Sequence, residues 1–272
     1  MGTMRRFASL IAAVLLTLLA GVHAAPPTPV VVELFTSEGC SDCPPADTLL
    51  DTLIATQPVA GAEIIALGQH VDYWDRLGWK DRFSSAALTD RQRLYQTHFS
   101  TDSIYTPQMV VDGRVEFVGS DAGAARKALA RTLTAPHGVV EVTLDRGAAC
   151  PEPCRGQSPA PQVGLSLSVT GLPPIAGGDR ADIIVAVTER GLTTDVTRGE
   201  NHGKVLRHAP VVRYLATIGR IAAGGTGGSA RADIPIDGAW RRDRLALVAF
   251  VQELKGRTIL ASASTPLKNA RP

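Results

Sequence analysis

The sequence predicts an α/β domain followed by an antiparallel β-sandwich, and three observations lead to that prediction. A Cys-x-x-Cys stretch, Cys40-Ser41-Asp42-Cys43, lies between an apolar run and a helical pattern. A Thr106-Pro107 step opens two short apolar runs joined by Asp112-Gly113, a strong hairpin signal. After Pro136-His137-Gly138 the periodicity turns to that of strands and stays so.

The chain has 272 residues, long enough for two domains. Arg5 and Arg6 precede the apolar stretch Phe7–Ala20, and Val22-His23-Ala24 is a small-residue cleavage site. Residues 1–24 therefore read as an export signal cut after Ala24, an uncleaved anchor being the alternative. Export places the mature chain in the periplasm or outside the cell, where disulfides persist. The formal net charge is +2; removing residues 1–24 takes away two arginines and no acid, which balances the rest. That balance argues against nucleic acid or an anionic membrane surface as partner.

Within residues 25–135, Val30–Phe35 reads as a buried strand, and Leu49, Leu50, Leu53 and Ile54 recur at helical spacing. Pro44-Pro45 fits the first helical positions, so the helix is expected to start near Pro45 with Cys40–Cys43 as the turn into it. Two cysteines separated by two residues at such a turn suit reversible disulfide chemistry, with Cys40 attacking as thiolate and Cys43 resolving. Half a zinc site and a static structural disulfide are the other readings of the pair. Glu38 and Asp42 flank the thiol and disfavour its thiolate, so a comparatively reducing couple is expected.

Glu63–Leu67 reads as a second strand, parallel to the first through a right-handed crossover. The segment Gln69–Asp81 then falls at the same sheet edge as Cys40. It is dense in aromatics, with Tyr73, Trp74 and Trp79. It reads either as one wall of a substrate groove, with His70 or Asp72 carrying protons or ligating, or as a packed loop whose tryptophans cover the core. Ser84-Ser85 can cap a helix over Ala86–Phe99. Met109–Val111 and Val115–Val118 form the hairpin, and Pro107 marks its start. Ser120 or Asp121 can cap a final helix, Ala122–Leu133.

The run Val32-Glu33-Leu34-Phe35-Thr36 leading to Cys40 and Cys43, with Thr106-Pro107 and Gly119-Ser120-Asp121, resembles the thioredoxin superfamily, closest to glutaredoxins. The resemblance implies an α/β thioredoxin-like (glutaredoxin-like) domain. It also implies a cis Pro107 against the disulfide, a Thr106 backbone offered to substrate, and Ser120 and Asp121 holding a glutathione carboxylate. Ser37, Val118 and the insertion between Leu67 and Tyr105 depart from the glutaredoxin pattern. Over most of its mature length the chain more closely resembles a secreted bacterial family known as domain of unknown function 1223. The stretches that carry this likeness are Glu33–Asp47, His70–Asp81, Tyr105–Gly113 and Arg198–Asn201.

Residues 136–272 show seven strand-like runs: Val139–Leu144, Val163–Val169, Ile183–Thr188, Val205–Leu215, Arg231–Ile236, Leu245–Val251 and Thr258–Ser262. With Gly- and Pro-rich connections they predict an antiparallel β-sandwich of immunoglobulin-like type. Cys150 and Cys154 enclose two prolines and suit a tight structural disulfide, with a second exchange centre or a metal pair as alternatives. Arg198–Lys204, with His208 and Arg213, is the polar cluster of this half. It reads as a glycine-flanked turn with a surface ion pair, or as a metal or anion site of Glu200, His202 and His208.

The expected function is thiol–disulfide exchange with protein or small thiols. Cys40, Cys43 and Pro107 form the centre, Thr106, Trp74, Ser120 and Asp121 contact substrate, and Glu33 or His70 relays protons. No resident cofactor is expected, glutathione being a possible co-substrate. A rival from another class is a copper carrier using Cys40, Cys43 and His70; a non-catalytic binding module is a third.

Overall fold

In a computed structural model of the chain, the residues described are 26–145 and 162–267. The expected export signal and the Cys150–Cys154 pair lie outside them. Strand β1 (Thr28–Thr36) is buried almost throughout and feeds two faces. Val30, Val32 and Leu34 enter one core, while Val31 and Phe35 face the other side. That two-sided burial explains why apolar residues occupy both faces of the strand, with Glu33 the one charged residue among them. Helix α1 (Pro44–Thr56) starts on the Pro-Pro pair and packs Ala46, Leu50 and Leu53 into the first core. It stops at Gln57, whose φ of 44° is left-handed and whose N–H bonds the Leu53 carbonyl.

Strand β2 (Ala62–His70) runs parallel to β1 from Thr28↔Ala62 to Thr36↔His70. Helix α2 (Ala86–Phe99) is capped by Ser85, whose side chain accepts from Ala87 N. Strands β3 (Gln108–Val111) and β4 (Val115–Val118) form the hairpin, and β3 lies antiparallel to β1. Its turn places Asp112 and Gly113 at φ of 45° and 63°. Both are residues that adopt left-handed backbone readily. Helix α3 (Ala122–Thr132) is capped by Asp121 and packs Ala125, Ala128 and Leu129 into the first core.

The second half supplies β5 (Val139–Asp145), β6 (Gln162–Thr170), β7 (Ala181–Glu189), β8 (Thr193–Asp195) and β9 (Val205–Arg207). After these come β10 (Val211–Ile221), β11 (Gly228–Pro235), β12 (Leu245–Glu253) and β13 (Ile259–Pro266). Their arrangement overturns the expected fold class. The described chain is mostly β, and it is not a thioredoxin-like α/β core with a β-sandwich beside it. One eight-stranded mixed sheet takes strands from both halves in the order β13-β12-β7-β10-β2-β1-β3-β4.

The two halves meet where β10 runs parallel to β2. Val211 pairs with Gly68, and Gly68 N donates to the Pro210 carbonyl at 2.7 Å. A shared core seals this seam, with Val31, Ile65, Leu67 and Leu88 packed against Ile184, Ala186, Val212, Val248 and Phe250. Burying each valine, leucine, isoleucine or phenylalanine here contributes roughly 1.5–3 kcal/mol relative to exposure. The physical reason for the correction is β2's outer edge. Left bare it would present a row of unpaired N–H and C=O groups, and β10 pairs with it at Gly68.

The remaining strands form a three-stranded sheet, β11-β6-β5, and a two-stranded ribbon, β8-β9. The small sheet sets Val163, Leu165, Leu167 and Val169 against Ile183, Val185, Leu247 and Val251 of the large one. The single run expected over Val205–Leu215 is two strands, interrupted at His208-Ala209-Pro210, where proline has no N–H to give a ladder. Among the described residues no helix is long and apolar enough to cross a membrane.

Candidate functional site

Cys40 and Cys43 are joined by a disulfide, with Cα atoms 5.4 Å apart. The turn is held by Cys40 N donating to Ser37 O and Cys43 N to Cys40 O. Cys43 occupies the cap position of α1, and its carbonyl accepts from Ala46 N and Asp47 N. Gly39 lets the turn pass close to Trp74, since a Cβ there would lie 3.1 Å from Trp74 Cβ. Both cysteines are 1% exposed, whereas Ser41 and Asp42 between them face solvent.

Trp74 links this turn to the next wall of the site. Its indole N–H donates to Thr106 Oγ1 at 2.8 Å. The Thr106–Pro107 peptide bond is cis, and the Pro107 carbonyl accepts from Gly119 N. A Cβ on Gly119 would lie 3.1 Å from Pro107 and 3.2 Å from Ala46, so hairpin, proline and the first turn of α1 are in contact. Beyond Gly119, Ser120 is exposed and the Asp121 carboxylate caps α3 through Ala124 N. Asp72 is tied to Thr89.

Beside the disulfide lies a buried polar cluster. Glu38 accepts from Trp79 Nε1 and Thr194 Oγ1 at 2.7 and 2.6 Å, with His208 Nε2 3.3 Å away. His70 Nδ1 lies 2.6 Å from Asp81 Oδ2, the oxygen that also accepts from Glu38 N. Asp47, one turn after Cys43, accepts from Thr36 Oγ1 and Ala209 N. Burial pushes its carboxyl above the ordinary value, against the pull of His70. Burial alone would lower His70, but Asp81 beside it holds the imidazole above its usual value. Burial likewise opposes ionisation of Asp81, and His70 outweighs it, leaving that carboxyl below the usual range.

Glu33 stands elsewhere. Its alternation on β1 turns it toward α2, where Arg91 forks onto both oxygens at 2.6 and 2.9 Å and Gln69 and Tyr95 donate as well. The structure thus brings Cys40, Cys43, Trp74, Thr106 and Pro107 together, sets the His70–Asp81 pair behind them, and seats Glu33 in its own ion pair with Arg91.

The second half closes over the same turn. Asn201 Nδ2 donates to Glu38 O and Cys40 O at 3.0 and 2.9 Å, and Glu200 Oε2 accepts from Ser41 N. The Arg198–Lys204 cluster, read in the sequence as a surface turn or ligand site, therefore docks on the Cys-x-x-Cys loop. His202 is exposed and His208 buried. Sequence reasoning missed Asp47 and Thr194. Asp47 left one signal: a carboxylate on the same face of α1 as Ala46, Leu50 and Leu53.

Residues 31–252 match the family model described as protein of unknown function, DUF1223. Among solved structures, Protein AGR_C_4864 from Agrobacterium tumefaciens is 25% identical with a TM-score of 0.62, covering 92% of this chain and 98% of that one. HBP35 of Porphyromonas gingivalis has a TM-score of 0.61 over 92% of this chain and 78% of its own; at 14% identity that is a likeness of fold alone. No curated protein matches.

Proposed function

Since the chain belongs to the DUF1223 family, whose function its description leaves open, we propose that its Cys40–Cys43 pair carries out thiol–disulfide exchange in an exported setting. The observation that carries this reading is the placement of the disulfide: at the start of α1, flanked by the Trp74–Thr106–Pro107 wall. A helix N-terminus favours the thiolate that exchange requires.

In the reduced protein the Cys40 thiolate attacks a substrate disulfide, forms a mixed disulfide and releases one substrate thiol. The Cys43 thiolate then attacks Cys40 Sγ, closing the Cys40–Cys43 bond and releasing the second thiol. Two electrons pass from the pair to the substrate, and a thiol donor returns them; the reverse sequence oxidises a substrate dithiol. Ser41 and Asp42 mark the exposed side from which a protein thiol or a small thiol such as glutathione approaches. Trp74, Thr106, Pro107 and the exposed Ser120 supply the contact surface.

The burial of both cysteines, 1% exposed each, favours a second reading, a fixed disulfide in a binding module. One experiment decides between the two. The folded full chain is equilibrated in graded dithiothreitol redox buffers, alkylated and weighed by mass spectrometry, with folding followed by circular dichroism. Exchange predicts that the pair titrates between two states while the chain stays folded, and that Cys43→Ser traps mixed disulfides. A pair that stays oxidised until the chain unfolds rejects exchange.

A further inference from the structure

Three elements deliver side chains to one buried point beside the disulfide: Asp47 from α1, His70 from the end of β2, and His208 from the break between β9 and β10. One nitrogen of each imidazole and one oxygen of Asp47 all lie within 4.8 Å of one another, and all three residues are buried. His70 Nδ1 is engaged by Asp81, and its Nε2 is buried with no hydrogen-bond partner. We propose that Asp47, His70 and His208 form a binding site for a divalent transition-metal ion, zinc by the chemistry of its donors.

Four features carry the assignment. A carboxylate beside Nδ1 favours the tautomer with the proton on that nitrogen, which in the neutral ring leaves Nε2 a lone pair, the usual state of a metal-bound histidine. A buried polar atom without a partner is costly, and a cation at this point satisfies it. Each oxygen of Asp47 accepts one protein hydrogen bond, from Thr36 or Ala209, and keeps a further lone pair. Two imidazoles on one tetrahedral ion hold their ring centroids about 5 Å apart, and those of His70 and His208 are 5.1 Å apart.

Two imidazoles and a carboxylate suit zinc and its first-row neighbours, and three protein donors leave a fourth position open. This donor set differs from the copper site expected on Cys40, Cys43 and His70. In the disulfide the two sulfurs are bonded to each other and offer no thiolate, so with the pair oxidised the ion is held by Asp47, His70 and His208 alone. An ion here joins the first half to the second, because Asp47 and His70 belong to residues 25–135 and His208 to residues 136–272.

The test uses the chelator-treated full chain with its disulfide intact, titrated with cobalt(II) alone and then with zinc(II). The expected result is one equivalent of cobalt with a visible absorption band, displaced by zinc, and a rise in thermal midpoint with either ion. His208→Ala and Asp47→Asn lose both signals, Asp81→Asn weakens affinity about 10–100-fold, and the Cys40→Ser/Cys43→Ser variant keeps both. The wild-type titration needs no variant to fold: a folded chain with neither band nor thermal shift overturns the proposal. So does binding that survives His208→Ala and Asp47→Asn, or that disappears only when the cysteines are replaced.

Discussion

The side-chain amide of Asn201 donates to the carbonyl oxygen of Cys40 at 2.9 Å, across 161 positions of sequence. The same nitrogen also reaches Glu38 O. The backbone of the cysteine turn is therefore completed by a side chain from the opposite half. Asn201 is itself fully buried, and Lys204 holds its oxygen.

Replacing Asn201 by alanine leaves two carbonyl groups without that donor. The expected loss is about 1–3 kcal/mol in urea unfolding. Reduction of the Cys40–Cys43 bond by dithiothreitol is expected to accelerate as well, because the segment closing over it is loosened. Alkylation against time measures that rate, and an unchanged rate would show that Asn201 does not guard the disulfide.

Gly68 tests the seam of the large sheet. A Cβ at this position would sit 2.9 Å from the Pro210 carbonyl oxygen, a backbone atom that cannot rotate aside. Gly68→Ala is expected to cost about 1–3 kcal/mol by overpacking. Gly177→Ala serves as control, since a Cβ there meets nothing within 4 Å; its effect is expected within about 0.5 kcal/mol of zero. Equal midpoints for the two variants would remove the seam as a point of strain.

Arg91 and Glu33 form a buried pair, with side chains 9% and 0% exposed. Arg91→Met strands the Glu33 carboxylate, and breaking such a pair costs about 3–5 kcal/mol. The double variant Glu33→Gln/Arg91→Met carries no lone charge and is expected to recover much of the loss. Chemical denaturation of the three proteins checks the ordering. A thiol-exchange rate that drops in Glu33→Gln at unchanged stability would instead give Glu33 a part in proton transfer.

Asp112 makes stability depend on pH. Burial raises its carboxyl above 3.8, against the His137 imidazole and the Val31 amide. Between 3.8 and the raised value the folded chain keeps a proton that the unfolded chain has released, so stability from this group falls as pH rises through that window. Asparagine retains an acceptor for Val31 N and tolerates the left-handed φ of 45°. Asp112→Asn is expected to flatten the urea midpoint across that window, measured in buffers from about pH 4 to 7. A midpoint curve parallel to wild type would assign the pH dependence to other groups.

Local chemistry made most elements legible. Pro44-Pro45 and the Leu49–Ile54 spacing mark α1, Ser85 marks the start of α2, and Asp112-Gly113 marks the hairpin turn. The Cys-x-x-Cys turn stood out for the same reason, since its residues are adjacent in the chain. The site around it did not. His208 and Asn201 join it from far along the sequence, and Asp47 is a lone acid on an apolar helix face. Glu33 gave no sign of its partner, because Arg91 sits 58 residues on and faces it only once α2 covers the sheet.

By itself, then, the sequence determined where the three helices and most of the strands lie, though not every strand's ends, and that two cysteines share one turn. Backbone dihedral preferences and side-chain periodicity act over a few residues. The tertiary structure alone decided that strands of both halves share one sheet and that the second half closes over the disulfide. An apolar strand offers the same ladder of N–H and C=O groups to any neighbour, so its partner is chosen by which edges are left bare and which side chains fill the seam.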